Sequence, residues 1–303
     1  MRVVVLAGGL GGSRFARALA ETLPPRDVTV VGNVGDDVEV SGLTVSPDLD
    51  TILYTLAGVL DEERGWGRQG ESWNAREAAT ELGGDTWFQL GDRDLGLHLV
   101  RTEALKRGEP LSAVTARLAR AFGVETTLLP ATDDRLRTWI ATPAGEFPFQ
   151  EWFVSRGHRD EVDGLRFEGV EKARAAPGVL EALEAADLIA IAPSNPFVSI
   201  GPIVAIAGIR EALENRRVPA VAVSPLIGGR TVRGPADRML ARLAGGTGPA
   251  QVTDCYKGLI DALVIDEADA QEDAGIQTIV TRTLMSDAAA RRRLAEAVLA
   301  VPV

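Results

Sequence analysis

The chain has 303 residues, of which 46% are hydrophobic and 25% are charged, a composition typical of a globular protein with a substantial core. Its formal net charge of −11 argues against nucleic-acid binding, which depends on clustered lysines and arginines. The single cysteine, Cys255, excludes an internal disulfide, and the presence of only two histidines excludes a histidine-rich metal site.

The N-terminal segment predicts a strand, a glycine-rich turn and a helix. Val3 to Leu6 form a short apolar run, and apolar residues recur at helical spacing from Ser13 onward. Between them lie Gly8, Gly9, Gly11 and Gly12. Glycine lets a ligand approach the backbone closely, and the N–H groups at a helix start suit a phosphate. The turn is therefore predicted to bind phosphate.

The spacing of these glycines does not fit the two common nucleotide motifs. A Walker loop needs a lysine where Ser13 stands, and a dinucleotide fingerprint starting at Gly9 needs a glycine where Arg14 stands. The second strand, VTVVGNV, also ends without the acidic residue that binds a ribose. A nicotinamide cofactor is therefore disfavoured. The sequence LAGGLG followed by an arginine is similar to sugar nucleotidyltransferases, although Gly12 is an extra residue, and that class is kept as an alternative.

Strands and helices alternate along most of the remaining chain. The pattern predicts a helix in DLDTILYTLAGVLD, strands around TTLLP, LRTWIATP and EFPFQEWFV, and then strand–helix repeats to the C-terminus. Such alternation implies a Rossmann-like, doubly wound α/β fold with a mostly parallel sheet. We predict one catalytic domain over residues 1–303, with a helical insertion near 60–125 and additional strands near 126–175.

Four aspartates follow the second strand or begin the next helix: Asp36, Asp37, Asp48 and Asp50. Carboxylates that lie close together repel one another unless a cation or protons intervene, and magnesium prefers such oxygen ligands. Capping of the helix explains one acid but not four. We therefore predict that these aspartates bind Mg²⁺.

Two later loops follow apolar strands and carry small polar or basic residues. The first, APSNPFVSIGPI, supplies Ser194, Asn195 and Ser199 for a base, a ribose or a phosphate. The second, SPLIGGRTVRG, supplies two glycines and two arginines for a second phosphate clamp, namely Gly228, Gly229, Arg230 and Arg233.

Arg93 is predicted to lie in the first turn of a helix that follows the apolar run WFQL, which is interpreted as a strand end. The helix dipole disfavours a cation at this position. Arg93 is therefore expected to face an anion or an aromatic ring, or to pair with Asp94.

In this order, the motifs resemble the 2-phospho-L-lactate transferase family over nearly the whole chain. The segments that carry the resemblance are LAGGLGGSRF, NVGDDVEV, SPDLDTILYTLAG, RGWG, ESWNA, WFQLGDRDLGLHLVR, FQEWFV, APSNPFVSIGPI and SPLIGG. ESWNA and FQEWFV make the chain most similar to the bacterial branch, the phosphoenolpyruvate transferases.

The resemblance implies an enzyme of coenzyme F-420 biosynthesis. It implies transfer of a phospho-acyl group from a guanosine-diphosphate-activated donor to the ribityl hydroxyl of 7,8-didemethyl-8-hydroxy-5-deazariboflavin, with release of GMP. It also implies that the enzyme requires magnesium and that it is a homodimer. The donor carries 2-phospholactate in archaea and phosphoenolpyruvate in many bacteria, and the sequence does not choose between them. Asp50 and Arg93 match residues that contact the deazaflavin, and Gly8–Gly12 with Ser194–Ser199 match the guanosine-diphosphate site.

The sequence is consistent with direct transfer, because no nucleophilic Ser–His or Cys–His pair is visible in it. We hypothesise that Asp48 and Asp50, helped by Asp36 or Asp37, hold magnesium and that one of these acids accepts the proton of the attacking hydroxyl. A second alternative is a guanine nucleotide-binding protein without turnover. No apolar run reaches the length of a signal-peptide core or a membrane span, so we expect a cytoplasmic protein without a membrane partner.

Overall fold

The computed structural model describes residues 1–301, in which fourteen strands and eleven helices are found. The strands are β1 (Val3–Ala7), β2 (Val28–Gly32), β3 (Val38–Val40), β4 (Leu43–Val45), β5 (Thr127–Pro130), β6 (Arg137–Thr142), β7 (Gly145–Pro148), β8 (Gly164–Glu168), β9 (Leu188–Ile191), β10 (Ala220–Val223), β11 (Leu226–Ile227), β12 (Arg230–Thr231), β13 (Ala262–Asp266) and β14 (Gln277–Thr281). The helices are α1 (Gly9–Thr22), α2 (Pro47–Leu56), α3 (Asn74–Glu81), α4 (Asp92–Lys106), α5 (Leu111–Ala121), α6 (Val179–Ala185), α7 (Gly201–Val204), α8 (Ala207–Glu214), α9 (Ala236–Leu243), α10 (Pro249–Cys255) and α11 (Ala288–Leu299).

Seven parallel strands form the central sheet in the order β14-β13-β10-β9-β1-β2-β5. The chain fills one half of the sheet from β1 outward and then crosses to β9 to fill the other half. The order therefore reverses between β1 and β9, which is where doubly wound sheets open a binding crevice. This topology confirms the predicted α/β, Rossmann-like fold.

The core lies on both faces of this sheet. The central strands are continuous apolar runs with every residue buried, as in β1, β9 and β10, because helices cover both sides. Helix α1 buries Phe15, Ala16 and Leu19 in the same core and packs against α2 and α11.

Three predictions for the middle of the chain need correction. The strand in TTLLP is β5, which pairs in parallel with β2 at the edge of the central sheet and does not belong to the additional strands. Of the strands between residues 126 and 175, β6, β7 and β8 form a separate antiparallel sheet, and β3–β4 and β11–β12 are two further antiparallel pairs. The segment WFQL forms a loop, and of the predicted helical insertion, residues 74–81, 92–106 and 111–121 are helical.

Within the predicted strand–helix repeats, the apolar segment IVAIAGIREAL does not form one helix but lies across α7 and α8, and a π-helical turn, Pro196–Ile200, precedes α7. Among residues 1–301, no single helix is long and apolar enough to cross a membrane. The segments Pro196–Val204 and Ala207–Glu214 reach that length and apolarity only as a pair, and they are bent by 90°.

Candidate active site

A cavity of about 790 Å³ opens above the carboxyl ends of the central strands. Its walls come from the turn after β1, the start of α2, the start of α4, the loops after β9 and β10, and the segment that follows β7. This volume is typical of a site for small-molecule ligands. The cavity also lies at the point where the strand order reverses.

The glycine-rich segment is the first turn of α1, which begins at Gly9 and not at Ser13 as predicted. The N–H of Gly9 donates to Asp48 Oδ1 over 2.7 Å, and the Gly8 carbonyl accepts from the Ser194 hydroxyl over 2.7 Å. A helix leaves its first N–H groups without intrahelical acceptors. The amides of Leu10 and Gly11 therefore remain available to an anionic ligand beside Asp48.

Three of the four glycines are needed because other groups lie where a Cβ would be. A Cβ on Gly8 would lie 2.4 Å from Asp48 Oδ2, one on Gly11 would lie 2.6 Å from the Pro193 carbonyl oxygen, and one on Gly12 would lie 2.6 Å from Ser194 Oγ. Gly8, Gly9 and Gly11 line the cavity, whereas Gly12 lies beneath it. The glycines thus serve close packing of the turn as well as its exposure to a ligand.

The four predicted acids separate into one pair and two individual side chains. Asn33 Nδ2 donates to Asp48 Oδ2 over 2.9 Å and lies 3.4 Å from Asp36 Oδ1, so these two carboxylates face a common amide. Asp37 instead accepts from the Ser46 hydroxyl over 2.9 Å. Asp50 is bound by a buried arginine. The four acids therefore do not form one cluster, because Asp37 and Asp50 are directed to other partners, and the assignment of all four to magnesium stays a prediction.

The charges of the Asp36–Asp48 pair are unfavourable without a counterion. Burial raises the pKa of Asp48 to about 6, against the opposing effect of hydrogen bonds from Asn33 and Gly9. Burial also raises the pKa of Asp36 well above its ordinary value, with added repulsion from Asp48 and Asp37. Within residues 1–301, no cluster of three or more His, Cys, Asp or Glu side chains is arranged to hold a metal. The pair fits a magnesium ion that takes its other ligands from substrate phosphate and water.

A second buried cluster lies where α2 meets α4. Arg101 binds both carboxylate oxygens of Asp50, and the Tyr54 hydroxyl donates to Asp94 Oδ1 over 2.5 Å. His98 lies between the two acids, with Nε2 3.4 Å from Asp94 Oδ1 and Nδ1 3.8 Å from Asp50 Oδ2. Asp50, Tyr54, Asp94 and His98 all line the cavity. The cluster presents several hydrogen-bonding groups to a polar ligand.

Residues 3–299 of the chain match the family described as 2-phospho-L-lactate transferase CofD. The chain belongs to this family. It is 45% identical over 310 residues to a phosphoenolpyruvate transferase of Streptomyces griseus, with 99% of this chain and 98% of the relative covered. A phosphoenolpyruvate transferase of Mycolicibacterium smegmatis is 39% identical, with 95% and 94% covered. The chain is thus a transferase of coenzyme F-420 biosynthesis, as predicted.

The fold is also similar to solved structures of protein BH3568 from Bacillus halodurans. One matches with a TM-score of 0.66 and 19% identity, covering 98% of this chain and 99% of that chain. Another, described as a member of the UPF0052 family, matches with a TM-score of 0.67 and 18% identity, covering 98% of both chains. At this identity the likeness concerns the fold alone, and it agrees with the α/β architecture.

Some of the other residues predicted for ligand binding in this transferase line the cavity, and others do not. Ser194, Asn195 and Ser199 line it, as does Asp48. The amides of Gly228 and Gly229 donate to the carboxylate of Asp269 over 3.1 and 3.0 Å. Of the predicted second clamp, Arg233 lines the cavity, whereas the exposed Arg230 is not among the lining residues and an acid of the chain binds the two glycine amides. Phosphate binding by this segment stays a prediction.

Arg93 is likewise exposed and is not among the described residues that line the cavity. Its Nη1 lies 3.4 Å from the Gln69 carbonyl oxygen, and its backbone N–H donates to Glu71 Oε2 over 2.7 Å. It does not pair with Asp94, whose carboxylate bonds to Tyr54. The assignment of Arg93 to the deazaflavin stays a prediction.

Some residues of the cavity have no assigned role in the sequence-based predictions. Three arginines line it, Arg14, Arg64 and Arg233, and Arg14 pairs with Glu62 over 2.6 Å. Arg233 Nη1 donates to the Arg64 carbonyl over 2.9 Å, which ties together two loops at the cavity mouth. Arg14 lies two residues after Gly12, and that position was the available signal. Arg233 belongs to the predicted second clamp, whereas Arg64 entered the sequence analysis only within the motif RGWG, without an assigned role.

Proposed function

We propose that this transferase moves a phosphoenolpyruvyl group from a guanosine-diphosphate-linked donor to the ribityl hydroxyl of 7,8-didemethyl-8-hydroxy-5-deazariboflavin, releasing GMP. The observation that carries the proposal is the acid pair, Asp36 and Asp48, beside the exposed amides at the start of α1. The names of the relatives support the enolpyruvyl donor. The 2-phospho-L-lactyl donor, which the family description names, is the alternative.

The start of α1 is suited to the diphosphate of the donor. Its free amides and the positive end of the helix dipole stabilise anionic oxygens without any side-chain charge. Arg14 and Arg233 line the same cavity and add positive charge near its mouth. Ser194, Asn195 and Ser199 follow β9 beside the turn and provide polar groups for the ribose or phosphate.

Asp36 and Asp48 would hold magnesium, and both acids are buried with raised pKa values. A bound magnesium ion would supply neutralisation of the charge on the phosphate oxygens. Asn33 fixes the orientation of the pair by donating to Asp48, and Gln150 Nε2 lies 3.2 Å from Asp36 Oδ2 on the other side. The carboxylates are thereby oriented before a ligand enters.

The attacking hydroxyl must lose a proton to a nearby base. We assign the proton to a carboxylate oxygen of the Asp36–Asp48 pair that does not bind the metal, because this pair lies beside the start of α1, where the donor phosphate is placed. Both oxygens of Asp50 are engaged by Arg101. Asp50 therefore binds the acceptor in this proposal and does not take its proton.

Direct transfer is tested by incubating the purified chain with the guanosine-diphosphate-linked enolpyruvyl donor, the deazaflavin and Mg²⁺. We expect a product in which the phosphoenolpyruvyl group replaces the hydroxyl hydrogen of the deazaflavin, so that its mass equals deazaflavin plus phosphoenolpyruvate minus one water, with one GMP formed per product. The lactyl donor, offered separately, distinguishes the two acyl groups. Release of pyrophosphate from a nucleoside triphosphate would instead favour the nucleotidyltransferase alternative, and absence of product from either donor would refute the proposal.

We also propose that the enzyme is a cytoplasmic homodimer, as the resemblance implies. Analytical ultracentrifugation of the full chain is expected to give twice the mass of 32.1 kDa calculated for one chain. A single species with the mass of one chain would contradict this assignment.

A further inference from the structure

Three planar side chains form one wall of the cavity: Phe149, Phe153 and His158, here called the aromatic wall. The rings of Phe149 and Phe153 have centroids 5.3 Å apart and planes inclined by 19°. The rings of Phe153 and His158 have centroids 4.8 Å apart and are also inclined by 19°. All three side chains are partly exposed and line the cavity.

The backbone of this segment is unusual in two ways. Residues Glu151–Ser155 form a π-helical turn, a feature that is rare in proteins and frequent at functional sites. His158 has a φ of +44°, in the left-handed region that a residue with a side chain seldom adopts. Strain of this kind persists only where the surrounding contacts impose it.

Those contacts are present and hold the wall from behind. The Arg238 guanidinium donates to the His158 carbonyl over 2.7 Å, and Arg156 binds both carboxylate oxygens of Asp160 over 2.6 and 2.9 Å. Trp152 is buried beneath the wall, and its indole N–H donates to the Asp160 carbonyl over 3.2 Å. The rings are thus positioned before any ligand enters.

The aromatic wall is also connected to the acid pair. Gln150, which lies between Phe149 and the π-helical turn, donates to the Asp36 carbonyl over 3.1 Å. Phe149 and Phe153 pack on the cluster that contains Val198, a residue of the loop after β9. A flat ring held on this wall therefore lies in the same cavity as the acids and the start of α1.

We propose that the aromatic wall binds a planar, fused heteroaromatic ring of one of the two substrates by parallel stacking. This inference rests on the proposed function, in which both the guanine of the donor and the deazaflavin of the acceptor have such a ring. Phenyl faces contact a ring through dispersion and not through hydrogen bonds. The wall therefore favours flat ligands but does not distinguish the hydrogen-bonding groups on the edges of their rings.

The test compares substitutions that remove or retain a ring in the full-length protein. Phe153→Leu removes the ring at similar volume, and Phe153→Tyr retains it. His158→Asn removes the imidazole while tolerating the left-handed backbone. Phe147→Leu is the matched control, because Phe147 belongs to the same small sheet and is not among the described residues lining the cavity.

Dissociation constants of guanosine diphosphate and of the deazaflavin are measured by calorimetry for each variant, after thermal melts show which variants are folded. For Phe153→Leu and His158→Asn we expect about tenfold weaker binding of one of the two ligands. Phe153→Tyr and Phe147→Leu are expected to bind both ligands as the wild type does. The ligand that is affected identifies which substrate ring occupies the wall.

Wild-type affinity for both ligands in folded Phe153→Leu or folded His158→Asn would overturn the inference. Equal weakening by Phe147→Leu would also overturn it, because the effect would then come from the small sheet as a whole. Failure of the proposed function has a different signature, namely that the wild-type protein forms no product and binds neither ligand.

Discussion

Arg101 of α4 binds both carboxylate oxygens of Asp50 in α2, with Nη1 2.9 Å from Oδ2 and Nη2 in contact with Oδ1. Arg101 is 2% exposed and Asp50 is 5% exposed, so the ion pair lies inside the protein. One side of Asp50 nevertheless lines the cavity. The pair joins two helices and fixes one predicted acceptor-binding side chain at the same time.

Replacing Arg101 with Met is expected to lower the free energy of unfolding by about 3–5 kcal/mol, because the substitution leaves a buried carboxylate without its partner. Arg101→Lys should lower the free energy of unfolding by less, since lysine keeps the positive charge but cannot form both hydrogen bonds to the Asp50 carboxylate. Urea denaturation measures both changes. Arg107→Met is the control, because Arg107 forms exposed ion pairs at the end of the same helix, and its loss should cost less than about 1 kcal/mol. Equal losses for Arg101→Met and Arg107→Met would contradict this prediction.

The raised pKa of Asp48 makes the stability of the magnesium-free protein depend on pH. The ordinary pKa of this carboxyl is 3.8, and burial raises it to about 6 in the folded protein. As the pH rises through this interval, the unfolded chain releases the proton while the folded protein retains it, so the free energy of unfolding falls. Asp48→Asn removes this contribution.

This prediction is checked by thermal melts of wild type and Asp48→Asn in a chelator, from about pH 4 to about pH 7. Taking the difference between the two proteins cancels the titrating groups that do not interact with Asp48. Asp36 does not cancel, because the charge of Asp48 raises its pKa in wild type only, and it contributes to the difference in the same direction. We expect wild type to lose stability relative to the variant as the pH rises. Added Mg²⁺ should restore the thermal stability of wild type at neutral pH and should raise the stability of the variant less. A difference that does not change with pH would show that Asp48 has an ordinary pKa.

The parts of the fold that follow from local patterns were predictable. The continuous apolar runs of β1, β9 and β10 indicate strands buried on both faces, and their alternation with helices indicates a parallel sheet. The failures concern segments whose partners are distant in sequence. The apolar residues of β5 fit an edge strand of either sheet, and only its pairing with β2 assigns it to the central one.

The site was predictable as a set of loops, but the partners within it were not. Asp36, Asp37, Asp48 and Asp50 look equivalent in the sequence, and only tertiary contacts direct Asp50 to Arg101. A signal for this cluster was nevertheless present. Asp94, His98 and Arg101 recur at helical spacing on the face of α4 that also carries the buried Leu97 and Ala104. Charged residues on such a face need partners, and this requirement pointed to a buried polar cluster.

The close approach of Gly8 to Asp48 gives a prediction about the first turn of α1. A Cβ at position 8 would lie 2.4 Å from Asp48 Oδ2 and 2.9 Å from Ser199 Cβ, so Gly8→Ala must displace the acid pair or the turn. We expect the transfer rate to fall about 100-fold, which is the typical effect of misplacing a reacting group by about 1 Å. The rate is measured as product formation at saturating Mg²⁺.

Gly96→Ala is the matched control for Gly8→Ala. Gly96 is exposed in the middle of α4, and no other group lies within 4 Å of a Cβ added there. Alanine at this position should raise the free energy of unfolding by up to about 1 kcal/mol and leave the transfer rate unchanged. If Gly8→Ala were as active as Gly96→Ala, the turn would tolerate a side chain and the geometry proposed for Asp48 would be wrong.

The exposed position of Arg93 makes its predicted role separable from folding. Among the described residues, its guanidinium forms a hydrogen bond only to the Gln69 carbonyl. The hydrogen bond from its backbone N–H to Glu71 does not depend on the side chain. Arg93→Ala should therefore leave the thermal midpoint nearly unchanged. If Arg93 binds the deazaflavin, its loss should weaken deazaflavin binding about tenfold, the usual effect of removing one hydrogen bond from a charged group.

The measurement is a pair of titrations, one with the deazaflavin and one with guanosine diphosphate. The second affinity should stay at the wild-type value, because Arg93 lies outside the part of the cavity formed by α1 and the loop after β9. Arg120→Ala, an exposed arginine on α5, controls for the loss of one positive charge in a protein whose net charge is already −11. Weaker binding of guanosine diphosphate with unchanged deazaflavin affinity would assign Arg93 to the donor, and no change in either affinity would remove it from the site.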